Sequence, residues 1–501
     1  MKNKLFWLIA FIIWLLVAII NLYPIISGNI PFWYDPARDM LSAWDNLHKL
    51  TLIGSTSGIP GIFYGPYWIW YLSVSVFFSK DPRFATFIVS FIPYMFFFPV
   101  VLYQFKNYFN KYILLILWVL FILSSKAYVL FIWNPNNSPL LFLLSSYLIL
   151  SAVSKEKTFS CLKQILLAGM VAGLALNINI AFGAVFALSS VLFLFLNTSF
   201  LLKKTFKLKI QQFFLQLPAF LIGISIMFLP FFIFEIRHGF EQTKSVLTAL
   251  VTGGGGIVTV HGLTKPQIIE SFFTRWAQLL QLSSNLSLVV LVALVIILVV
   301  LFLKKKVIFS PPERRMLLFL LCLSVGCLGL YLSVHNPVWD YHFIGIEVLW
   351  VLLLGVFLTK IPFLRYVAYG WIVFLLVMQI VGFWTMLHTP VLGASSLTTK
   401  EYIVNTIAKD AKGKTYSVYA YSPSIYVYEY TYLFRWLANK DVPYDPSVIV
   451  KKGDVYLILS PDKQSALDDF VNYRTPSKLY KTVKTLSIPD GTIILKRSLL
   501  E

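Results

Sequence analysis

The chain has 501 residues, 58% hydrophobic and 13% charged, with a mean hydropathy of +0.76. A soluble protein is about one-quarter charged, so this composition excludes an ordinary water-soluble enzyme and calls for a bilayer. The net charge of +20 would suggest nucleic acid in a soluble chain. Here the basic clusters "LKKTFKLK" (202–209), "LKKKV" (303–307) and "ERR" (313–315) lie in short segments between apolar runs, where they set topology and meet anionic headgroups.

Apolar runs recur at 5–26, 65–79, 84–104, 112–131, 139–153, 164–177, 181–197, 213–234, 286–303, 315–334, 343–359 and 366–387. They predict a mainly α, polytopic transmembrane helical bundle over residues 1–387. The first run follows Lys2 and Lys4, is too long for a signal-peptide core and lacks a small-x-small cleavage site. It reads as an uncleaved span with a cytoplasmic N-terminus. The basic clusters place "FEIRHGF" (234–240) and "HNPVWDYHF" (335–343) outside, and Lys360 with Arg365 inside, so the last span delivers the chain to the outer face. Lys106 and Lys111 look internal. Twelve full spans cannot join an internal start to an external end, so the count is eleven, with 65–79 at the interface, or thirteen. The outer loops are 27–64 and 235–275.

Residues 388–501 read as a soluble extracytoplasmic α/β domain: 11 of the 22 acids fall in the last 111 residues. Strand-like runs at 415–421, 454–460 and 491–496 alternate with helical stretches at 424–438 and 462–472. No repeat of 20–50 residues is visible, which counts against a transporter built from inverted repeats. Cys161, Cys322 and Cys327 lie in or beside apolar runs and suit burial rather than a disulfide or zinc site.

All six histidines fall in segments assigned to the outer side or its interface. Arg38, Arg237, Lys244, Lys265 and Arg275 join them there, against the positive-inside rule. A basic outer face implies an anionic ligand, and phosphate fits.

The segment "WYDPARDMLSAWDNL" (33–47) carries the chain's first acids. Pro36 suits the first position of a helix and Asp35 its N-cap. Met40, Leu41, Trp44 and Leu47 then form the apolar stripe of an interfacial helix. On that account Asp35 caps and no chemistry follows. On the other, a carboxylate at the outer end of the first span deprotonates an acceptor hydroxyl that attacks a sugar carried on a lipid phosphate. Nearby cations would hold the departing phosphate. Asp35 and Asp39 lie one turn apart and face similar ways, so either can be the base.

The stretch resembles the signature after the first span of the membrane-embedded GT-C glycosyltransferases, in the branch of the protein O-mannosyltransferases and the lipid A aminoarabinose transferase. Asp35 and Arg38 match its Asp-Glu-x-x-Arg pattern, while Pro36 replaces the common Glu. "FYGPYWIWYL" (63–72) keeps Pro66 and the aromatics of a His-Pro-Pro or Lys-Pro-Pro motif, with Tyr64 and Gly65 before them. "WNPNNSPLLF" (133–142), "FEIRHGF" and "WDYHFIGIEVLW" (339–350) are similar to external-loop patterns of bacterial members. The resemblance spans residues 1–390, and the tail resembles appended periplasmic domains. It implies an inverting glycosyltransferase that moves a hexose or pentose from a polyprenyl-monophosphate donor to a hydroxyl or amine of a glycan, lipid or protein acceptor. The reaction would occur on the outer face of the cytoplasmic membrane, without metal or other cofactor and without nucleic acid.

On that reading the catalytic candidates are Asp35 and Asp39, and the donor-phosphate candidates are Arg38, Arg237, His238 and Lys244. Tyr64, Tyr341, His342, Glu347 and His261 are candidates to line the substrate site. The plainer roles are interfacial anchoring for Arg237 and His238, an aromatic belt for Tyr341 and His342, and pairing with a neighbouring span for Glu347. Gly253 to Gly256 suit a hinge in a substrate-gated loop. Asn136, Asn137, Asn177 and Asn179 suit helix capping. The tyrosine-rich stretch 419–436 suits sugar stacking or packing against the membrane domain. The rival functions are a flippase for lipid-linked sugars and a polysaccharide polymerase or ligase using a diphosphate donor.

Overall fold

The computed structural model describes residues 2–57, 61–155, 158–198, 206–252, 262–334, 337–388, 393, 395–423, 426–445 and 453–500. Helix α1 (Lys2–Ser27) is almost uniformly aliphatic and aromatic. At 1.5 Å per residue it reaches about 39 Å, more than the bilayer's hydrocarbon core. It ends at Gly28, whose φ of 75° takes the chain out of the helix. The amphipathic α2 (Tyr34–Asn46) follows, and then α3 (Tyr67–Phe78) and the long α4 (Pro82–Asn107).

Helix α4 widens into π turns at Phe87–Phe91 and Pro93–Phe97. Pro93 and Pro99 have no N–H to give, so carbonyls one turn earlier lose their partners. One of these, the Met95 carbonyl, instead accepts from Trp14 Nε1 of α1 at 2.8 Å. A buried backbone group is thereby satisfied and the two helices are tied together.

The bundle continues through α5 (Lys111–Ser124), α6 (Ser138–Ala152), α7 (Thr158–Ile178), α8 (Ile180–Leu196) and α9 (Phe206–Met227). Helix α10 (Leu229–Arg237) is bent by 59° from α9 at a break ahead of Pro230. Then come α11 (Glu241–Thr252), α12 (Lys265–Leu280), α13 (Ser284–Leu303), α14 (Pro311–Ser333), α15 (Glu347–Lys360) and α16 (Leu364–His388). Helices α5 and α15 are buried along nearly their whole length and form the centre of the core.

Among the described residues, six helices are long and apolar enough to cross a membrane, or seven if the bent α9–α10 pair counts as one span. The eleven to thirteen spans expected from the apolar runs are not all of that length. The runs at 65–79, 112–131, 139–153, 181–197 and 343–359 become helices of 12 to 17 residues. Pro, Asn and Ser at their ends stop them early, and the irregular backbone that results is buried in protein, where its polar groups find partners. The segment 235–275 is likewise not one loop, since α11 and much of α12 lie within it.

The C-terminal domain holds α17 (Leu397–Ala411), β1 (Tyr416–Tyr421), α18 (Tyr428–Leu437), β2 (Asp454–Leu459), α19 (Gln464–Arg474), β3 (Tyr480–Ser487) and β4 (Ile493–Leu499). Its sheet runs β1-β2-β4-β3, parallel between β1 and β2 and antiparallel elsewhere. The domain is seated on the end of the bundle where α1 gives way to α2. Backbone bonds join Phe32 N to Ser395 O at 2.8 Å and Leu397 N to Ile30 O at 3.0 Å. Arg83 grips Glu401 with two bonds of 2.6 and 2.5 Å, and Arg435 meets Asp45 at 2.8 Å.

Candidate active site

Helix α2 places three charges on one turn. Its N-cap is Trp33, without a side-chain cap bond, and Asp35 lies within the first turn rather than before it. The capping role expected for Asp35 is therefore replaced by an ion pair with Arg38, NH1 to Oδ1 at 2.9 Å. That spacing is the i,i+3 geometry that brings side chains together on a helix. Arg38 also reaches Asp39, from Nε at 2.9 Å and from NH2 at 2.8 Å.

The two acids differ sharply. Asp39 is 0% exposed; its Oδ1 also accepts from Ser55 Oγ at 2.5 Å, and its Oδ2 accepts from Trp68 Nε1 at 2.8 Å. Both oxygens are fully occupied, which is what a buried carboxylate requires. Asp35 keeps 20% exposure, and its Oδ2 has no hydrogen bond among the described residues. Burial pushes the Asp35 carboxyl above its ordinary value against the opposing pull of Arg38, and Asp39 adds to the rise. For Arg38, burial favours the neutral form, but the charges of Asp39 and Asp35 outweigh it and hold the guanidinium protonated.

The loop 51–66 supplies Ser55 and Tyr64. Its two described arms, 51–57 and 61–66, are paired: Gly54 N donates to Tyr64 O at 2.8 Å and Tyr64 N to Ser55 O at 2.9 Å. Gly65 is needed at its close. A Cβ there would stand 1.7 Å from Asn177 Oδ1, and the Gly65 N–H donates to the Asn177 carbonyl at 3.0 Å. Tyr64 is thus held beside the acid pair. Burial pushes its hydroxyl up to about 12, and the charges of Arg38, Asp35 and Asp39 all act on it.

Tyr341 arrives from the single turn Asp340–Phe343. Its phenol is raised by burial, and the charges of Tyr64 and Asp35 add to the rise. Stacked and tilted rings run from the α2 N-cap to this turn: Trp33 to Phe131 at 5.9 Å, Phe131 to Trp133 at 5.6 Å and Trp133 to Tyr341 at 5.5 Å. The turn is anchored by Arg275, whose NH2 donates to Asp340 Oδ2 at 2.7 Å and to Asp340 O at 2.8 Å. Glu347 faces the same anchor. It accepts from Tyr128 OH at 2.5 Å and from Gly345 N at 2.6 Å, with Arg275 NH1 at 3.8 Å. Its carboxylate is spent on holding the turn. His342 is buried, its pKa lowered to about 4 by that burial, and its Nδ1 accepts from Trp339 N at 3.4 Å. Its ring meets that of Tyr341 edge-on at 4.5 Å.

The other expected cations are elsewhere. Arg237, His238 and Lys244 are exposed on α10, its C-cap and α11. No ion pair or hydrogen bond among the described residues joins them to Asp35 or Arg38. His238 uses Nδ1 on Phe234 O at 2.8 Å and stacks on the Phe234 ring. His261 and Gly253 to Gly256 lie outside the described residues. Asn179 caps α8, accepting from Phe182 N at 3.3 Å, whereas Asn177 and Asn136 bond backbone carbonyls of other segments.

Sequence reasoning missed the groups that hold Asp39 (Ser55 and Trp68) and the role of Arg275 as the anchor of the Asp340–Phe343 turn. Trp68 and Ser55 carry no local signal, because their partner Asp39 is 29 and 16 residues away. Arg275 was visible as a cation against the positive-inside rule, and its partner Asp340 was in view in "WDYHF".

Solved structures share this architecture end to end. ArnT from Cupriavidus metallidurans in the apo state superposes with a TM-score of 0.60 at 10% identity, covering 99% of this chain and 97% of that one. The chain has the GT-C fold. ArnT bound to undecaprenyl phosphate matches with a TM-score of 0.55 at 10% identity, covering 99% of this chain and 98% of that one. No family model and no curated protein sequence matches. The superposition takes in 99% of the chain, the C-terminal domain included.

Proposed function

We propose that the protein is an inverting glycosyltransferase. It takes a sugar from a polyprenyl-monophosphate donor and passes it to an acceptor hydroxyl on the outer face of the cytoplasmic membrane, where the C-terminal domain also lies. Asp35 is the base. The observation that carries this reading is the asymmetry of the acids: Asp39 is buried and bonded at both oxygens, while Asp35 is partly exposed, with a raised pKa and an Oδ2 that has no hydrogen bond among the described residues. The ArnT-like fold supports it.

In the step proposed, the acceptor oxygen attacks the anomeric carbon and its proton passes to Asp35 Oδ2. The bond from that carbon to the phosphate oxygen breaks, and polyprenyl phosphate leaves with the electron pair. A phosphate is a good leaving group, so the demand falls on an activated nucleophile and on cations that hold the charge. Arg38, fixed by Asp39, is the cation nearest the base. Asp39 acts as a positioning residue. Arg237, His238 and Lys244 remain candidates for the approach of the donor headgroup, and Tyr64 and Tyr341 for the wall of the site. The proposal invokes no metal.

The test uses purified wild type, Asp35→Asn and Asp39→Asn with radiolabelled polyprenyl-phosphate sugars and a membrane-extract acceptor pool. Wild type is expected to transfer label and Asp35→Asn to bind donor without transferring it. Movement of the lipid-linked sugar across vesicles, with no transfer to any acceptor, would make the protein a flippase and end the enzyme reading.

A further inference from the structure

The stretch 426–436 contains four tyrosines, and the structure sorts them into two groups. Tyr430 and Tyr432 are buried; Tyr432 packs on Phe32 and Trp44 and donates to Lys80 O at 2.5 Å. Tyr432 thereby helps dock the C-terminal domain on the bundle, and Tyr430 packs inside that domain under Lys400. Tyr426 and Tyr428 are less buried, and their bundle contact is with Tyr34 alone among the ring pairs of the described residues. With Tyr444 they form a separate cluster, in which Tyr428 and Tyr444 are stacked at 4.5 Å and Tyr426 lies 5.9 and 6.0 Å from them. Tyr426 is 37% exposed and Tyr444 44%. Among the described residues no hydrogen bond engages any of these three hydroxyls.

The cluster continues into the acid pair. Tyr34 meets Tyr428 edge-on at 5.0 Å and Tyr426 at 6.4 Å. Arg38 lies 5.5 Å over the Tyr34 ring, and its charge reaches Tyr428, whose hydroxyl burial pushes up to about 12. Tyr34 immediately precedes Asp35 in the chain. A partly exposed aromatic surface therefore runs to Tyr34 and Arg38, the residue before Asp35 and the arginine paired with it.

We propose that Tyr426, Tyr428 and Tyr444, with Tyr34, form a platform that binds a saccharide acceptor and leads its hydroxyl to Asp35. This rests on the transfer reaction proposed above and adds the chemical class of the acceptor. A saccharide presents C–H faces with slight positive character and a rim of hydroxyls. The first match the negative faces of tyrosine rings and the second match free phenol groups. Tyrosine offers this amphipathic contact at little entropic cost, with only two rotatable side-chain bonds. A lipid tail would instead need an apolar groove open to the bilayer, and this cluster belongs to the soluble domain.

The test measures transfer from a radiolabelled polyprenyl-phosphate sugar to a panel of short neutral and anionic oligosaccharides. Wild type, Tyr426→Ala/Tyr444→Ala and Tyr444→Trp are compared as full-length chains in detergent. The double alanine variant is expected to raise the acceptor KM roughly tenfold or more, with donor KM unchanged and kcat nearly kept. Tyr444→Trp is expected to retain the wild-type KM. An unchanged acceptor KM in the double variant overturns the proposal. So does label that wild type places only on peptides or lipids, and the transferase reading survives that result. Direct binding of the same oligosaccharides on an array, lost in the double variant, tests the platform without catalysis. If wild type transfers no sugar at all, the reaction fails and the array still decides the platform.

Discussion

At the scale of single residues, the site turns on how one arginine divides itself between two acids. Arg38 lowers the Asp35 pKa, while burial and Asp39 raise it. A base must be ionised to act, so activity falls as pH drops through the Asp35 pKa. That acid limb is expected above the ordinary carboxylate value of about 3.9. Arg38→Gln removes the group that lowers the pKa, so the limb should move to higher pH in kcat/KM profiles; a limb that stays or moves down would remove Asp35 from the role of base. Asp35→Asn should cost about 10²- to 10⁴-fold in kcat, the usual contribution of a positioned base, with donor affinity retained. Asp39→Asn tests the positioning role. Its amide cannot accept from Ser55, Trp68 and Arg38 together, so a buried donor is left unpaired at a cost of about 1–3 kcal/mol. Thermal unfolding should report that loss, and kcat should fall less than in Asp35→Asn.

At the scale of elements, the helices that carry the site are held by close backbone approach. In α7, Gly169 and Gly173 form a small-xxx-small stripe against α9: a Cβ at Gly169 would stand 2.1 Å from the Phe220 carbonyl oxygen, and one at Gly223 would stand 2.3 Å from that of Leu166. Such interfaces replace the missing hydrophobic drive in lipid with backbone packing. Gly169→Leu should therefore destabilise by about 1–3 kcal/mol or more through overpacking, read as a lower unfolding temperature in detergent, whereas Leu at the open Gly370 should leave it unchanged. The small residues of this interface stand in "AGMVAG" (168–173), inside a run whose hydropathy alone reports a helix and not the face it packs. The helical bundle and strands β1, β2 and β4 were legible, since hydrophobic period and run length report them directly. Strand β3 was not. Apart from Tyr480, "YKTVKTLS" is mostly exposed, so no alternation betrays it, and its place is set by pairing with β4. Asp35 and Arg38 were legible from their spacing on one helix turn. The distinction between Asp35 and Asp39 was not, because Ser55 and Trp68 reach Asp39 only after the chain has folded.

At the scale of the whole molecule, the tyrosine platform can serve Asp35 only while the C-terminal domain stays seated on the bundle. The strongest clamp is Arg83 with Glu401, a two-bond pair whose side chains are largely buried. Charge-assisted bidentate pairs of this kind are the strong members of their class. A double-mutant cycle with Arg83→Ala and Glu401→Ala should give a coupling of about 1–3 kcal/mol in unfolding of the full chain, well above the 0.2–1 kcal/mol range expected of an exposed pair. Neither residue touches Asp35, so donor binding should be unaffected in both single variants. Acceptor KM should rise in both, because the domain that bears Tyr426, Tyr428 and Tyr444 is held less firmly against α2 while α2 itself keeps its bonds to Ser55 and Trp68. Reversing the pair, Arg83→Glu with Glu401→Arg, should restore part of both the stability and the KM. If the single variants lose stability yet keep the wild-type acceptor KM, docking of the domain and binding of the acceptor are separate matters, and the C-terminal domain would then serve the fold rather than the reaction.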